Sequence, residues 1–591
     1  MPNLKKIDFG FTPSQYQNNI FDFVEHGTGN AVVRAKAGSG KTATMIAAMK
    51  LIPKKRSCLF IAFNKSIVEE LTAKLTDYPN CTAKTIHGLG YSIIIKNFDE
   101  KPVLDEYKYR NYLKNNICDL SQIDCEGTSR EILEEYVENV CMLINFSRSN
   151  LCQKVSEIQT IAAKYDIPYH HDECEVTLKC LEWGKKNTQT IDYTDMVWLP
   201  YELGLSPKGN QYDWVFFDEA QDASKTYVDI FLRTFKRGTR FVACGDDFQR
   251  INLFAGSSSD AFDYLTCYPN TQTFDLPICY RCDKKIIELS QTLVPDIQYR
   301  DNAGDGVILE DCHLDEVKDG DMVLCRSKAP LLRLYSRLIK KNIACYIKGK
   351  DIGVNLLELI DSVDAKSIGR ELITDGLFIR LYQRLIDVRN NVMKRHNLDI
   401  WDASLSLQVM ELYDTINVLM TISEGCKTIE EIKERITNIF QDDAKGICLS
   451  TIHKAKGLES DNVFIICRST MPPKRAKKDW EKLQEENLIY VAYTRAKHKL
   501  GFISEIEVPP AGSSMNDDDI VNDIAFIEKQ VCRVLGTPLT EDNASANFAR
   551  FRLKAAIEIE DTHKNDNVVY INRNETPDEE VSLDDLLASL D

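Results

Sequence analysis

Residues 31–51 read AVVRAKAGSGKTATMIAAMKL, and the fold of the chain turns on how this stretch divides. Ala31, Val32 and Val33 form a short apolar strand, Ala35 to Gly40 a loop of small residues, and an Ala- and Met-rich helix opens at Lys41. Gly38 and Gly40 let backbone N–H groups approach an anion without a Cβ in the way, and the helix N-terminus adds the positive end of its dipole. Ala37, Gly38, Ser39 and Gly40 are therefore read as a phosphate cradle. Lys41 would reach the β and γ phosphates of a nucleotide, and the Thr42 hydroxyl would ligate Mg²⁺. The first loop position is Ala35, where the pattern G-x-x-x-x-G-K-[ST] has glycine.

The whole chain bounds what such a site can serve. Its 591 residues predict about three to five domains, and 43% hydrophobic with 28% charged residues is the composition of a soluble globular protein. The nineteen cysteines are scattered singly and the start MPNLKKIDFG has no apolar core for export, so a reducing intracellular setting, cytoplasm or nucleus, is expected. Cys279 and Cys282 form a C-x-x-C, but no second pair follows at zinc-like spacing. No run approaches the roughly 18 apolar residues of a membrane span. A net charge of -17 excludes a uniformly basic nucleic-acid binder, so any contact to nucleic acid is a local channel.

Outward from the cradle, FTPSQYQNNIFDFV precedes it, with Thr12 or Ser14 capping a helix that carries Gln15. A side-chain amide suits the edge of adenine, although Gln15 alone reads as a solvated helix residue. After the cradle, the strand Ser57 to Ala62 ends in Phe63 and Asn64, and the strand Cys81 to Thr85 delivers His87, at strand ends where α/β sheets place ligands. Such groups can stack on or hydrogen-bond single-stranded bases, though each alone is more often plain packing. Residues 101–186 turn charged and helix-periodic. YDWVFFDEAQD then returns to a strand, Trp214 to Phe217, closed by Asp218 and Glu219. Two carboxylates at the tip of an apolar strand are costly without a cation or bound water. With a phosphate loop in the chain, Asp218 is the natural Mg²⁺ partner and Glu219 the base for the attacking water. The next strand, Arg240 to Cys244, leads to Gln249, a candidate γ-phosphate sensor, and to Phe254; Tyr280 and Arg281 follow the linker-like FDLPIC, the arginine a candidate anion clamp. A second α/β unit begins at Asp321 to Arg326. After a helical stretch 351–444 it resumes at GICLSTIHKAKGLESDNVFII, which clusters Thr451, His453 and Glu459, and NLIYVAYTRAK places Arg495 on a helix. The basic block PPKRAKKDWEKL reads equally as a solvated loop or a phosphate-backbone contact.

In order, the pieces AKAGSGKT, FIAFNKS, TIHGLG, FFDEAQD, GDDFQRI, CYR, STIHKAKGLE and YVAYTRAK resemble a superfamily 1 helicase of the UvrD/Rep type, and within that group the helicase core of the F-box DNA helicases. No F-box is expected ahead of residue 12. The resemblance implies an α/β protein of two RecA-like P-loop lobes, each with a mainly helical insertion. The first lobe would span 1–100 and 187–275 with its insertion at 101–186. The second would span 276–350 and 445–510 with its insertion at 351–444, followed by a C-terminal extension, 511–591. It further implies that Gln15 reads adenine, Tyr280 stacks on it, Glu459 touches the ribose, and Gln249, Arg281 and Arg495 meet the γ phosphate. Phe63, Asn64, His87, Phe254, Thr451 and His453 would line single-stranded DNA. Two positions depart from the pattern: Ala43 stands where relatives often carry an arginine that covers the base, and Asn252 where an aromatic is common.

The expected function is an ATP- and Mg²⁺-dependent DNA helicase or translocase, a monomer moving 3′ to 5′ on single-stranded or tailed duplex DNA in replication, repair or recombination. Alternatives are a translocase that strips proteins from DNA, an ATP-switched scaffold, and a nuclease fusion for which the residues after Pro510 offer no carboxylate cluster. The tail from Glu575 has seven acidic residues and no Lys or Arg, with Val581, Leu583, Leu586, Leu587 and Leu590 near helical spacing. It reads as a segment that folds on a basic partner protein, one that folds over the DNA channel, or a solubilising end.

Overall fold

The computed structural model describes residues 9–62, 65–123, 130–165, 167, 169, 172–251, 259–363, 373–396, 398–404, 406–423, 425–440, 445–472 and 479–504, with short helical pieces between 521 and 531. The chain forms two compact units, Met1–Asp517 and Asp518–Asp591, and the architecture below belongs to the first.

Three strands open its first sheet: the apolar runs β1 (Asn30–Ala35) and β2 (Cys58–Ala62), and the half-buried β3 (Cys81–Thr85). β4 (Val103–Leu104) and β5 (Thr190–Ile191) make a separate two-stranded ladder, and β6 (Tyr212–Phe217), β7 (Phe235–Gly245) and β8 (Thr271–Leu276) complete the sheet. The order is β3-β2-β6-β7-β1-β8 with every pairing parallel. Parallel strands need helices on both faces, which is why β2 is a continuous buried run rather than an alternating one. β1 lies between β7 and β8. Its C-terminal end therefore opens one strand in from the edge strand β8, at the carboxyl edge of the sheet where such folds place ligands.

The second sheet repeats the plan. After the short parallel pair β9 (Ile278–Cys279) and β10 (Gln298–Tyr299) come β11 (Val307–Leu309), β12 (Met322–Cys325), β13 (Cys345–Ile347), β14 (Ile447–Thr451), β15 (Ser460–Ile466) and β16 (Ala496–Ile503). Their order is β11-β16-β15-β12-β14-β13, again all parallel. The molecule is an α/β protein of two RecA-like P-loop lobes.

Each lobe carries a mainly helical insertion. Between β3 and β6 stand helices Lys108–Leu120, Arg130–Asn150, Val155–Tyr165, Glu173–Lys186 and Tyr193–Glu202. Leu113, Val140, Ile144, Val176 and Trp198 are in their shared core. At its polar heart the buried Arg148 donates to Asp192 and Asp195, both at 2.8 Å, and Lys108 donates to Asp195 at 2.6 Å. Between β13 and β14 stand Lys350–Asp361, Ile373–His396, Ile400–Ser404, Leu407–Ser423 and Ile429–Ile439.

Several local readings are corrected. Arg495 is not on a helix: the helix Asp479–Tyr493 ends two residues before it, and β16 begins at the next residue. The stretch FDLPIC is not a plain linker, since Phe274 to Leu276 close β8 and Ile278 and Cys279 form β9. β7 starts at Phe235, well before Arg240, because its first half is polar and half-exposed and shows no apolar run. Sixteen of the described cysteines are free thiols, while Cys118 is in a disulfide. Among the described residues no helix is long and apolar enough to cross a membrane.

Candidate active site

Strand ends of the first lobe build the site. β1 runs into the loop Lys36–Gly40, and Gly38 and Gly40 both adopt left-handed backbone, φ 65° and 74°. Gly38 has a second constraint: a Cβ there would sit 2.7 Å from Cys279 Sγ and 2.8 Å from Arg281 Cβ. The loop is thus packed directly under the Cys279–Cys282 turn, and Tyr280 N–H donates to Gly38 O at 2.8 Å. Thr44, one turn into the helix Lys41–Lys50, accepts from the buried Gln17 amide at 2.9 Å. Gln17 and Ser14 form a capping box that starts the helix Gln15–His26. Gln15 is exposed and donates to Asn19, on the solvent side of that helix.

β6 delivers the carboxylates. Thr42 Oγ1 donates to Asp218 Oδ2 at 2.7 Å, and Lys41 Nζ lies 3.2 Å from Glu219. Glu219 holds a left-handed backbone, φ 52°, rare for a non-glycine residue and of the kind that clusters at functional sites. Its carboxylate also accepts from Gln221 Nε2 at 2.6 Å, and Gln221 Oε1 accepts from the Asp246 N–H at 3.1 Å, linking the ends of β6 and β7. Gln249 is buried and donates to Asp246 at 2.7 Å. Burial pushes the Asp218 carboxyl up to about 6, with Glu219 adding to it and Lys41 and Thr42 opposing. Burial pushes Glu219 up too, but Lys41, Lys456 and Gln221 outweigh it and hold this carboxyl at about 2. Of the two, Asp218 therefore takes up a proton first as pH falls, because the Lys41 ammonium lies against Glu219.

The second lobe closes the other side. Lys456 donates to Asp222 and, at 2.8 Å, to the Gln249 carbonyl. Asn487 donates to the Arg250 carbonyl at 3.0 Å, and the Tyr490 hydroxyl accepts from the Ala37 N–H at 2.9 Å. Arg281 is held by Glu459 at 2.6 Å and by the Thr494 carbonyl at 3.1 Å, with Lys497 3.2 Å from the same Glu459. Arg495 is 1% exposed, and its hydrogen bonds go to the carbonyls of Val491 and Leu458 and to Thr494 Oγ1, all in its own lobe. Burial and the neighbouring Arg281 bring its guanidinium down to about 10. Tyr280 is 37% exposed, with its ring 4.0 Å from where a Cβ on Gly40 would lie.

Of the residues read as strand-lining, Phe63, Asn64 and Phe254 lie outside the described residues. His87 is half-buried, edge-on to Tyr227 at 5.5 Å, and lines a cavity of about 330 Å³ with Asn145, Ser149, Thr194 and Thr226. Thr451 closes β14, and His453 follows it, kept neutral because burial and the cations Arg326 and Lys454 bring its imidazole down to about 3. The sequence reading missed Gln221, Asp246, Tyr490 and the contact of Lys456 to Asp222. Gln221 was the findable one, two residues past the carboxylate pair on the same strand end.

The donor set fits Mg²⁺: a hydroxyl and one or two carboxylates are hard oxygen ligands, and this ion fills its remaining positions with water and phosphate. Thr42 and Asp218, already 2.7 Å apart, would hold it. The family model of the UvrD/REP helicase N-terminal domain matches residues 16–267, and that of the UvrD-like helicase C-terminal domain matches 355–507. The chain belongs to the UvrD/Rep helicase family. It is 25% identical over 567 residues to F-box DNA helicase protein 1 of Schizosaccharomyces pombe, covering 86% of this chain and 58% of the relative. It is 24% identical to F-box DNA helicase 1 of Gallus gallus, covering 80% and 47%. ATP-dependent DNA helicase Rep of Buchnera aphidicola is 21% identical, with 81% and 93% covered. This UvrD/Rep-type chain thus spans about half the length of the two F-box relatives.

Proposed function

We propose that this UvrD/Rep-type chain is an ATP-driven DNA helicase that moves 3′ to 5′ on single-stranded DNA and opens tailed duplexes. The observation that carries the reading is that the P-loop of one lobe touches the other lobe directly, through Ala37 with Tyr490 and Gly38 with Tyr280. A nucleotide bound there must act on both lobes. In this reading Lys41 and the loop amides of Gly38 to Gly40 bind phosphate while the Tyr490 hydroxyl holds the Ala37 amide in place, Gln15 and Tyr280 hold the base, and Glu459 the ribose. Mg²⁺ on Thr42 and Asp218 would neutralise phosphate charge when bound. Glu219 is ionised down to low pH, so it accepts the proton of the attacking water at neutral pH. Gln249, Arg281 and Arg495 face charge developing on the γ phosphate. Arg495 suits that task because its hydrogen bonds go to neutral oxygens, two carbonyls and the Thr494 hydroxyl, so an arriving anion meets a charge with no carboxylate bonded to it. His87, Thr451, His453, Phe63, Asn64 and Phe254 would grip the strand.

Strand displacement with 3′- and 5′-tailed duplexes tests the proposal. ATP-dependent opening of the 3′-tailed duplex alone is expected. DNA-stimulated ATPase without opening of either duplex would favour a translocase that strips proteins from DNA. ATPase indifferent to DNA would leave only a scaffold.

A further inference from the structure

The chain carries 90 acidic and 73 basic residues, and three cations of its site are paired with carboxylates: Lys41 with Glu219, Lys456 with Asp222, Arg281 with Glu459. One corner of the first lobe breaks this pattern. Lys84, the second-last residue of β3, and Lys96, in the last turn of the helix Ile86–Asn97, both donate to Asn210 Oδ1, at 3.2 and 3.4 Å. The Ser92 hydroxyl donates to the same oxygen at 3.1 Å. Lys208 donates to the Lys96 carbonyl at 3.3 Å. The hydrogen bonds of all three ammoniums thus go to neutral oxygens, and two of them share one amide. The ammonium of Lys84 is held below the ordinary lysine range by burial and by the charge of Lys96.

The corner is built rather than incidental. Asn97 Nδ2 donates to the Ser206 carbonyl at 2.7 Å, and the Asn210 N–H donates to the Pro207 carbonyl at 2.8 Å, pinning the loop 206–210 on the helix end. Gly209 takes left-handed backbone, φ 70°, and a Cβ there would lie 3.5 Å from Lys96 Nζ. Asn210 is fully buried, yet its Nδ2 has no acceptor among the described residues. A helix C-terminus accounts for Lys96. It does not account for Lys84 and Lys208 beside it.

We propose that Lys84, Lys96 and Lys208 form a phosphate site at this corner of the first lobe, and that its ligand is a backbone phosphate of DNA. The inference rests on the reading that the chain binds DNA, and adds a contact outside the residues assigned to the strand path. β3 is an edge strand, and Lys96 and Lys208 are exposed, so a polymer can reach the corner. A phosphate oxygen would replace the neutral amide as the shared acceptor and remove the repulsion between the ammoniums. Ser92 offers a further donor.

The test is the salt dependence of DNA binding by the full chain, read by fluorescence anisotropy with a labelled single strand and with a labelled blunt duplex. A triple variant, Lys84→Gln, Lys96→Gln and Lys208→Gln, is compared with an equal change of charge at the exposed Lys54, Lys55 and Lys101. For the single strand, loss of this one phosphate contact should reduce the slope of log K against log[salt] by about 0.7, and for the duplex by about 0.9. Affinity at low salt should fall at least about tenfold for whichever DNA uses the site, with DNA-free ATPase unchanged. The control variant should keep the wild-type slope. Equal slopes for the triple variant and the control overturn the proposal. Stabilisation of the wild type, but not the triple variant, by inorganic phosphate with unchanged DNA slopes would also overturn it, in favour of a free anion. Wild-type protein that binds neither DNA would instead remove the reading on which the proposal rests.

Discussion

The hydroxyl of Tyr490, on the second lobe, accepts a hydrogen bond from the Ala37 N–H of the P-loop at 2.9 Å, with both residues fully buried. Tyr490 sits five residues before Arg495, so one segment of the second lobe reaches the phosphate loop and carries the candidate arginine finger. Tyr490→Phe keeps the ring but leaves the Ala37 N–H buried without its acceptor, a cost of about 1–3 kcal/mol. The amide of Ala37 should then exchange with solvent about 10- to 100-fold faster in nucleotide-free protein. Unchanged exchange would mean that the hydroxyl does not hold the loop in solution.

Glu219 is positioned by backbone and by charge together: a left-handed turn aims it, and Lys41 and Gln221 fix its oxygens. Glu219→Gln preserves shape and hydrogen-bonding reach while removing the proton acceptor. Turnover should fall by a factor of about 10² to 10⁴, with nucleotide and DNA binding retained. Near-normal hydrolysis would take Glu219 out of the role of base.

Asp218 makes the site sensitive to pH. Its folded value of about 6 lies above that of an unfolded aspartate, so between the two the folded protein holds a proton that the unfolded chain releases. Metal-free stability should therefore rise as pH falls through about 6, and neutral pH carries a cost on the order of 2–3 kcal/mol from the buried charge. Asp218→Asn should melt higher than the wild type near pH 7 without Mg²⁺ and lose this acid-side gain. In the wild type, Mg²⁺ should raise the melting temperature at pH 8 and progressively less below pH 6, because proton and metal compete for one carboxylate. A melting temperature of Asp218→Asn below that of the wild type at pH 7 would show the ionised form to be better solvated than its burial implies.

Much of this site was legible because buried parallel strands leave continuous apolar runs whose ends punctuate the sequence. Trp214 to Phe217 followed by Asp218 and Glu219 is such a run, and so is β1 before the glycine loop. The contacts that join the lobes were not legible. Ala37 and Tyr490 are separated by most of the chain, and no periodicity in either segment encodes their meeting. Lys456 could be read as part of a polar cluster, but not as the partner of Asp222. The polar half of β7 is illegible for a related reason: Lys236, Arg237 and Gly238 are exposed and stand at the register shift between the paired Phe235 and Arg240, so this half leaves no hydrophobic trace. The apolar period of NLIYVAYTRAK continues to Arg495 and predicts a helix there, whereas the helix ends at Tyr493 and β16 begins at Ala496.

That turn decides what Arg495 is for. Its guanidinium is buried against the carbonyls of Val491 and Leu458, where its charge is a burden in the nucleotide-free protein, brought down to about 10 by burial and by Arg281. A residue kept for stability would be expected to pair with a carboxylate there, because replacing a buried charge with an apolar side chain of similar volume is often neutral or stabilising. Arg495→Met should therefore leave the melting temperature of the nucleotide-free protein unchanged or raise it by a few degrees. Turnover at saturating ATP and single-stranded DNA should still fall by about 10³ or more, the scale of losing an arginine that meets transferring phosphate. Lys restores the charge but not the planar fork, so Arg495→Lys should remain strongly impaired. A steep loss of melting temperature in Arg495→Met, or full activity in Arg495→Lys, would instead make the residue a strut that closes the end of the helix Asp479–Tyr493.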